Sequence, residues 1–522
     1  MSELALRSAA DSDRRLTLLP ALLLGAAIAL SIAPAALVEI PAMVDYPNHL
    51  ARMSVLARAG TAAANPFYDV AWGLYPNLAM DLIVPPIARL VGAVEATRLF
   101  YVASQLLIVG GATALAAAAR GPIVPAGVAA CLMLYTTPFA WGFVNFEFGL
   151  ALALWGIAAW IVTADRGFAA RAAVHAGFVA ALFVSHMFAL GIYGFAIGII
   201  ELRRSIVERR PPLAWLIVFG TMAAPVVALV ALMAAAGSSV GGAGTVWAFE
   251  FKLMWLFSLN GFSLDLSMIL TAVLALLGYV AFRHSWLRLS SDGLWLAGAF
   301  AALYLCMPFI LVDTAFVDVR VVVAAALILP AFAIVRSPSH RARSVALAIV
   351  ACVFAANLGF TAWVQAGYRT EYRALVAAFE RITPGSRILV ATAVADEDPP
   401  RQLTEYPIYH APTLAVHYAD AFVPTLFTYP GKQPLLPKPA VRAIAVPQGG
   451  PIEVKMLAGI VAGRPSPETP DFVRNWHRDF DYVCLIRGDG KNPMPDILQP
   501  VASSSRFALF RVRTAPPRAT SP

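Results

Sequence analysis

From residue 16 onward the chain returns repeatedly to apolar runs about as long as a bilayer is thick. A helix crosses the hydrocarbon core in about 20 residues. Runs of that order occupy roughly 16–38, 99–119, 123–140, 146–163, 171–185, 187–201, 213–236, 266–282, 294–312, 320–335 and 344–363. Ala, Leu and Val in such runs would strand unsatisfied backbone groups in an open sheet, which leaves helices. Only 13% of the 522 residues are charged and the mean hydropathy is +0.71, which excludes an ordinary water-soluble globule. The expectation is an α-helical polytopic membrane protein with about eleven transmembrane helices, of which 171–185 and 187–201 are short enough to form one bent span. The first run exceeds a signal-peptide core and is followed by more spans, so it reads as an uncleaved anchor.

Basic residues orient the bundle. With the N-terminus inside, fifteen Lys or Arg fall in the short inner loops, from Arg7 to Arg343. Six fall outside: Arg52, Arg58, Arg89, Arg98, Lys252 and Arg320. That asymmetry is the positive-inside pattern. It accounts for most of the net charge of +8, so no nucleic-acid partner is implied. Eleven spans put everything after about Gly367 outside, giving a multi-pass protein of the cell (inner) membrane with a periplasmic or extracellular C-terminal part.

Two regions break the apolar rhythm. They divide the chain into a transmembrane part, 1–367, with a first outer loop at 39–98, and an outer soluble domain, 368–522. In the loop, "YPNLAMDLIVPPIARLVG" is too short and too polar to span and reads as an interfacial helix resting on lipid. In the domain, "YRTEYRALVAAFERI" and "PDFVRNWHRDF" read as helices, and "RILVATAV", "DYVCLIRG" and "RFALFRVR" as strands, which together suggest a small α/β unit. Its middle, about 396–450, is Pro-rich loop. The glycines of "GSSVGGAGTVW" lack the following Lys–Ser of a phosphate loop and read as a flexible connection. "RGDG" from Arg487 reads as a turn. Cys131, Cys306, Cys352 and Cys484 have no metal-type spacing and offer the outer domain no disulfide.

The polar stretch "VDYPNHLARM", Val44 to Met53, follows the first span. Asp45, His49 and Arg52 are spaced i, i+4, i+7, on one side of a helix. Pro47 is tolerated in its first turn. Asp45 could cap that helix through its side chain, or serve as a base, or both. Further polar residues fall at the same outer level: Asn145 and Glu147 in "WGFVNFEFGL", His186 in "FVSHMF", Lys252, and Asp313, Asp318 and Arg320 in "VDTAFVDVR". Ionisable groups at a membrane are costly unless paired, hydrated or functional. Their gathering on one face points to a site there.

The layout resembles the GT-C superfamily of membrane glycosyltransferases. That family places an acidic residue in a long outer loop after the first span, matched by Asp45. Its "PP-l-yw…lfG…R-l" passage resembles "LYPNLAMDLIVPPIARLVGAVEATRLF", ending at Arg98, and its second acidic residue is matched nearest by Glu147. The family's paired acidic "DE" is "DY" in this chain, and His49 and Arg52 are not general family features. A divalent metal (Mg or Mn) and the identity of the acceptor are therefore left open. The resemblance implies transfer of a sugar from a polyprenyl-phosphate donor to a lipid, glycan or protein acceptor at the outer face. Asp45 would be the base, and His49 would orient Asp45 or contact the phosphate. Arg52, Lys252 and Arg320 would hold the lipid phosphate. Asn145, Glu147, His186, Asp313 and Asp318 are candidates for the acceptor or a metal, and His410, His417, Tyr418 and Asp420 are expected to cover the acceptor site. The alternative classes are a lipid or polysaccharide-precursor transporter, which would show midplane charges and internal repeats, and a non-catalytic assembly protein. Oligomeric state is open.

Overall fold

A computed structural model describes residues 3–236, 244–312, 314–336, 339–393, 406–446, 449–488 and 491–513. Asp313, most of the glycine-rich connection and the end of "RGDG" lie outside them. The chain opens with α1 (Glu3–Ala36), then an extra-bundle segment of α2 (Tyr46–Arg58), β1 (Tyr68–Val70) and α3 (Ala79–Val91). The bundle resumes with α4 (Ala93–Ala118), α5 (Ile123–Leu132), the short α6 (Thr137–Trp141), α7 (Val144–Val162), α8 (Phe168–Ser185), α9 (Met187–Val207) and α10 (Pro212–Ala235). It continues through β2 (Thr245–Val246), α11 (Lys252–Trp255), α12 (Leu264–Arg283), β3 (Leu287–Leu289), α13 (Ser291–Cys306), β4 (Ile310–Leu311), α14 (Val317–Ile328) and β5 (Ala333–Val335) to α15 (His340–Phe379).

Among the described residues eight helices are long and apolar enough to cross a membrane: α1 from Leu18, α4, the stretch Ile123–Trp141, α7, α8, α10, α12 and α15. The expected count of about eleven is not established by that measure. Helix α9 carries Glu201, Arg203 and Arg204 near its end, α13 has 16 residues and α14 has 12. Helices α10 and α12 turn Leu216, Val227, Ile269 and Leu276 outward, as helices facing lipid do. Helices α4 and α7 form the interior. Lipid tails are as apolar as leucine, so close packing has to hold such helices together. At Gly111 a Cβ would come within 2.8 Å of Leu154 Cβ and 3.1 Å of the Ala151 carbonyl, and glycine is what lets α4 approach that near.

Helix α3 is the expected interfacial helix. It buries Met80, Asp81, Val84 and Ala88 and exposes Leu82, Ile83, Leu90 and Val91. Helix α15 passes position 367 unbroken. Beyond it, Tyr368, Tyr372, Leu375 and Phe379 form a buried stripe at helical spacing. The sheet that follows has the order β10 (Leu498–Ser503), β11 (Phe507–Val512), β9 (Tyr482–Ile486), β6 (Ile388–Thr392), β8 (Ile452–Glu453). Strand β6 runs parallel to both neighbours, β8 and β9, whereas β11 runs antiparallel to β9 and β10. Strand β9 is buried at every position, as a central strand covered on both faces should be.

This domain is fastened to the first loop. Strand β7 (Leu435–Pro437) pairs antiparallel with β1. Arg58 donates to Asp420 at 2.6 Å, and Ser54 lies 2.7 Å from His417 Nδ1. His417 and Asp420 thus act in docking.

Candidate active site

The backbone leading into Asp45 is held at Ala42, Val44 and Asp45 itself. The side-chain amide of Gln365, on α15, brackets Ala42, accepting from its N–H at 2.7 Å and donating to its carbonyl at 3.3 Å. The last carbonyls of α6 then receive Val44 N–H and Asp45 N–H, each at 2.9 Å. Gly142, with φ of +80°, turns the chain away beneath them. Asp45 occupies the N-cap position of α2, but its side chain makes no capping bond, so the carboxylate is left for the cavity it faces.

That cavity has a volume of about 600 Å³ and lies between the bundle end and the C-terminal domain, with Asp45, Trp141, Phe143, Arg320, Tyr409, His410, Phe427, Lys432 and Arg487 among its walls. Asp45 is the one acidic residue lining it among the described residues. A smaller cavity of about 170 Å³ continues from it past His49, Arg52, Asn145 and His186, again with Asp45 and Arg320 in the wall. A third, of about 500 Å³, is lined mainly by apolar side chains of α9 and of the stretch from Leu303 to Val317, including Met187, Ile192, Phe195, Leu303 and Met307. The small and apolar cavities share Asn77, His186 and Lys432.

Burial pushes the Asp45 carboxyl up to about 8, against the opposing pull of Arg320 and then Arg52. His410 Nε2 stands 3.6 Å from Asp45 Oδ1, and burial lowers His410 to about 4, so its ring is neutral. His49 makes no side-chain bond to Asp45. Its ring lies edge-on to Phe427, its Nδ1 is buried without a partner, and burial together with Arg52 holds it well below the usual histidine range. The imidazole beside the carboxylate is therefore His410.

The basic candidates separate. Arg52 and Arg320 both line a cavity with Asp45, but Arg52 is committed. It makes a forked pair with Asp81, 2.7 Å from Nε and 3.1 Å from Nη2, with both side chains almost fully buried. Lys252 lies elsewhere. Its ammonium donates to Asp318 at 3.1 Å and to the Tyr304 and Met307 carbonyls at 2.9 and 2.8 Å, which uses all three of its donors. Lys252 and Asp318 thus form a structural ion pair, and Arg52 brings no uncompensated charge to a phosphate clamp.

Arg320 differs. Among the described residues it has no carboxylate within ion-pair distance, and Nη2 reaches only the Ala315 carbonyl, at 3.3 Å. Its guanidinium lies over the rings of Phe143 and Phe146, at 4.4 and 5.1 Å, and its Nε is buried without a partner. Its Nη1 is 3.0 Å from His186 Nε2, while His186 Nδ1 faces the Phe188 N–H at 3.1 Å. A neutral imidazole has one acceptor nitrogen, so only one of these two contacts can be a hydrogen bond.

Asn145 is a tie. It accepts from Met80 N–H at 3.0 Å and donates to the Asn77 carbonyl at 2.7 Å, fixing the start of α3 to α7. Glu147 is buried in the first turn of α7 near Tyr101 and Tyr135, away from the walls around Asp45. Among the described residues no three His, Cys, Asp or Glu side chains gather to hold a metal ion. Sequence reasoning had no signal for Asp81, Lys432 or Arg487, whose approach depends on the tertiary fold.

No protein-family model matches the chain, and no curated protein matches it. Among solved structures it is similar to ArnT from Cupriavidus metallidurans. The crystal structure bound to undecaprenyl phosphate shows 14% identity over 95% of this chain and 99% of that one, with a TM-score of 0.48. The apo crystal structure shows 14% identity over 97% and 100%, with a TM-score of 0.49. The cryo-EM structure of the mycobacterial arabinofuranosyltransferase AftD shows 15% identity over 94% of this chain and 40% of that one, with a TM-score of 0.45. At these scores the likeness transfers no residue role to this chain.

Proposed function

We propose that this protein is a membrane glycosyltransferase that moves a sugar from a polyprenyl-phosphate carrier to a hydroxyl-bearing acceptor at the outer membrane face. The observation that carries this reading is a lone, largely buried acidic residue, Asp45, sharing a cavity wall with Arg320, which makes no ion pair with a carboxylate among the described residues, beside an apolar cavity between α9 and the segment from Leu303 to Val317. An amphiphile with a long chain and an anionic head suits that combination.

Asp45 takes the acceptor's hydroxyl proton as the acceptor oxygen attacks the anomeric carbon, which requires hydrogen-bond reach. The bond from that carbon to the carrier's phosphate oxygen breaks, and the electron pair leaves with the phosphate. Arg320 stands ready for that charge, and preorganised positive charge at a developing anion is commonly the largest catalytic contribution. His410 borders Asp45 and is neutral, suited to holding the acceptor hydroxyl. No step is assigned to a metal.

Asp45→Asn tests this. It keeps the shape and removes the base, so transfer should fall by about 10²–10⁴-fold with normal expression and membrane insertion. The carrier-linked glycan profile of cells relying on the variant is the first readout. A normal profile at equal expression would remove Asp45 as the base.

A further inference from the structure

The first loop and the C-terminal domain meet along a strap, residues 423–438. Tyr68 Oη donates to the Val423 carbonyl at 3.2 Å. Asn48, fully buried on α2, holds the next segment at two points: its amide donates to the Thr425 carbonyl at 2.8 Å, and its carbonyl accepts from Phe427 N–H at 2.8 Å. The far end is the β1–β7 pairing. Between these fastenings the chain makes a tight turn. Lys432 and Gln433 N–H both donate to the Tyr429 carbonyl, at 3.0 and 3.1 Å, Gln433 Oε1 accepts from Tyr429 N–H at 2.8 Å, and Gly431 has φ of +80°.

Lys432, at the end of this turn, lines all three cavities described above. A molecule with its chain in the apolar cavity and its head beside Asp45 would cross the junction that Lys432 shares with Asn77, His186 and Thr314. We infer that Lys432 is the cation through which the C-terminal domain binds the lipid phosphate, with Arg320 of the bundle also in the walls of the two polar cavities, and that Asn48 is the positioning residue that sets the strap. This rests on the lipid-phosphate reading of the site. An ammonium is a compact charge on a flexible stem, suited to a phosphate oxygen. The strap is pinned before the ligand arrives, so little ordering cost falls on binding. On this account the bundle and the domain each supply part of one anion site, and neither part is complete alone.

The test uses the full-length protein in lipid nanodiscs and measures affinity for undecaprenyl phosphate, undecaprenol and inorganic phosphate. The wild type should prefer the phosphorylated lipid to the alcohol. Lys432→Met should lose about tenfold or more in affinity for undecaprenyl phosphate, the scale of a charged hydrogen bond, with undecaprenol binding and the ligand-free unfolding midpoint unchanged. Lys432→Arg should restore most of the loss, and Asn48→Ala should reduce the same preference. If Lys432→Met binds the phosphorylated lipid as well as wild type while wild type still prefers it to the alcohol, the inference falls and the lipid-phosphate reading stands. Wild type that does not distinguish the two lipids sinks that reading and this inference with it. Equal loss for both lipids would make Lys432 a structural residue, and inorganic phosphate binding lost in Lys432→Met without lipid discrimination would reassign the site to a free anion. Either result overturns the inference.

Discussion

The forked pair between Arg52 and Asp81 sits at the boundary between structure and chemistry, and mutation can tell which side it belongs to. Its two bonds measure 2.7 and 3.1 Å, and the side chains are 2% and 1% exposed, so solvent screens almost none of the interaction. Removing one member leaves a buried charge without its partner, a loss of about 3–5 kcal/mol. Against the roughly 5–15 kcal/mol that holds a typical domain together, that is severe. Arg52→Met and Asp81→Leu should each lower the unfolding midpoint sharply, as read by tryptophan fluorescence in nanodiscs. The double variant replaces the pair with apolar groups and should recover most of the loss, since buried ion pairs often break even against apolar replacements. The coupling energy of the cycle should then be comparable to the cost of a single change. Arg52 also helps lower Asp45, so the double variant should transfer sugar with its pH profile moved slightly upward. Additive losses, or an Arg52→Met protein of full stability that no longer binds undecaprenyl phosphate, would refute the structural assignment and return Arg52 to the phosphate.

Three further outcomes follow from the same geometry. Asp45 is held at about 8 against an ordinary 3.8, so transfer should climb with pH to about 8 and then level, and Arg320→Met should move the climb to higher pH. Stability runs the other way: unfolded Asp45 ionises near 3.8 and the folded group only near 8, so this residue costs stability increasingly as pH rises between those values, and Asp45→Asn should be stabilising at pH 7 but not below pH 4. Identical unfolding profiles for wild type and variant across that window would count against the raised value. Gly142→Ala forces a side chain onto φ of +80° with its Cβ 3.0 Å from Tyr46 N, and should cost about 1 kcal/mol or more and slow transfer by displacing Asp45; an unaffected rate would mean the carboxylate is not held from below. Asp318→Asn strips Lys252 of its counter-charge and should cost about 3–5 kcal/mol, with undecaprenyl phosphate binding per folded molecule unchanged, whereas lost binding at full stability would bring Lys252 back to the phosphate.

Much of the architecture was legible in the sequence because membrane helices announce themselves through length and hydropathy alone. Helix α3 was readable for a related reason: Pro85 and Pro86 beside Asp81 and Arg89 make a segment too short and polar to span yet too apolar to leave the membrane. The span count was less legible, since α9 ends in charged residues and α14 has only 12 residues. Ion-pair partners were not legible at all. Arg52 lies 29 residues from Asp81, and Lys252 lies 66 from Asp318, so the pairing that neutralises each basic residue leaves no local pattern. A basic residue at the right level of a membrane protein looks the same in sequence whether it waits for a phosphate or is already satisfied.

The polar residues of "VDYPNHLARM" divide their labour according to which side of one short helix they occupy. Asp45 precedes the helix and faces the cavity, its side chain making no capping bond and its backbone N–H held by the Trp141 carbonyl. Asn48 reaches the strap through two backbone bonds, His49 packs its ring edge-on to Phe427 of that strap, and Arg52 anchors α3 through Asp81. Three of the four thus position other elements around the fourth. Helix α2 is 13 residues long and buried along most of its length, and the polar contacts around it come from tertiary partners: Gln365 from α15, Gly142 from the bundle, Asp81 from α3 and the strap from the C-terminal domain. These contacts account for the polar side chains concentrated at this point in so apolar a chain, and Tyr409, His410, Lys432 and Arg487 of the C-terminal domain complete the walls around Asp45.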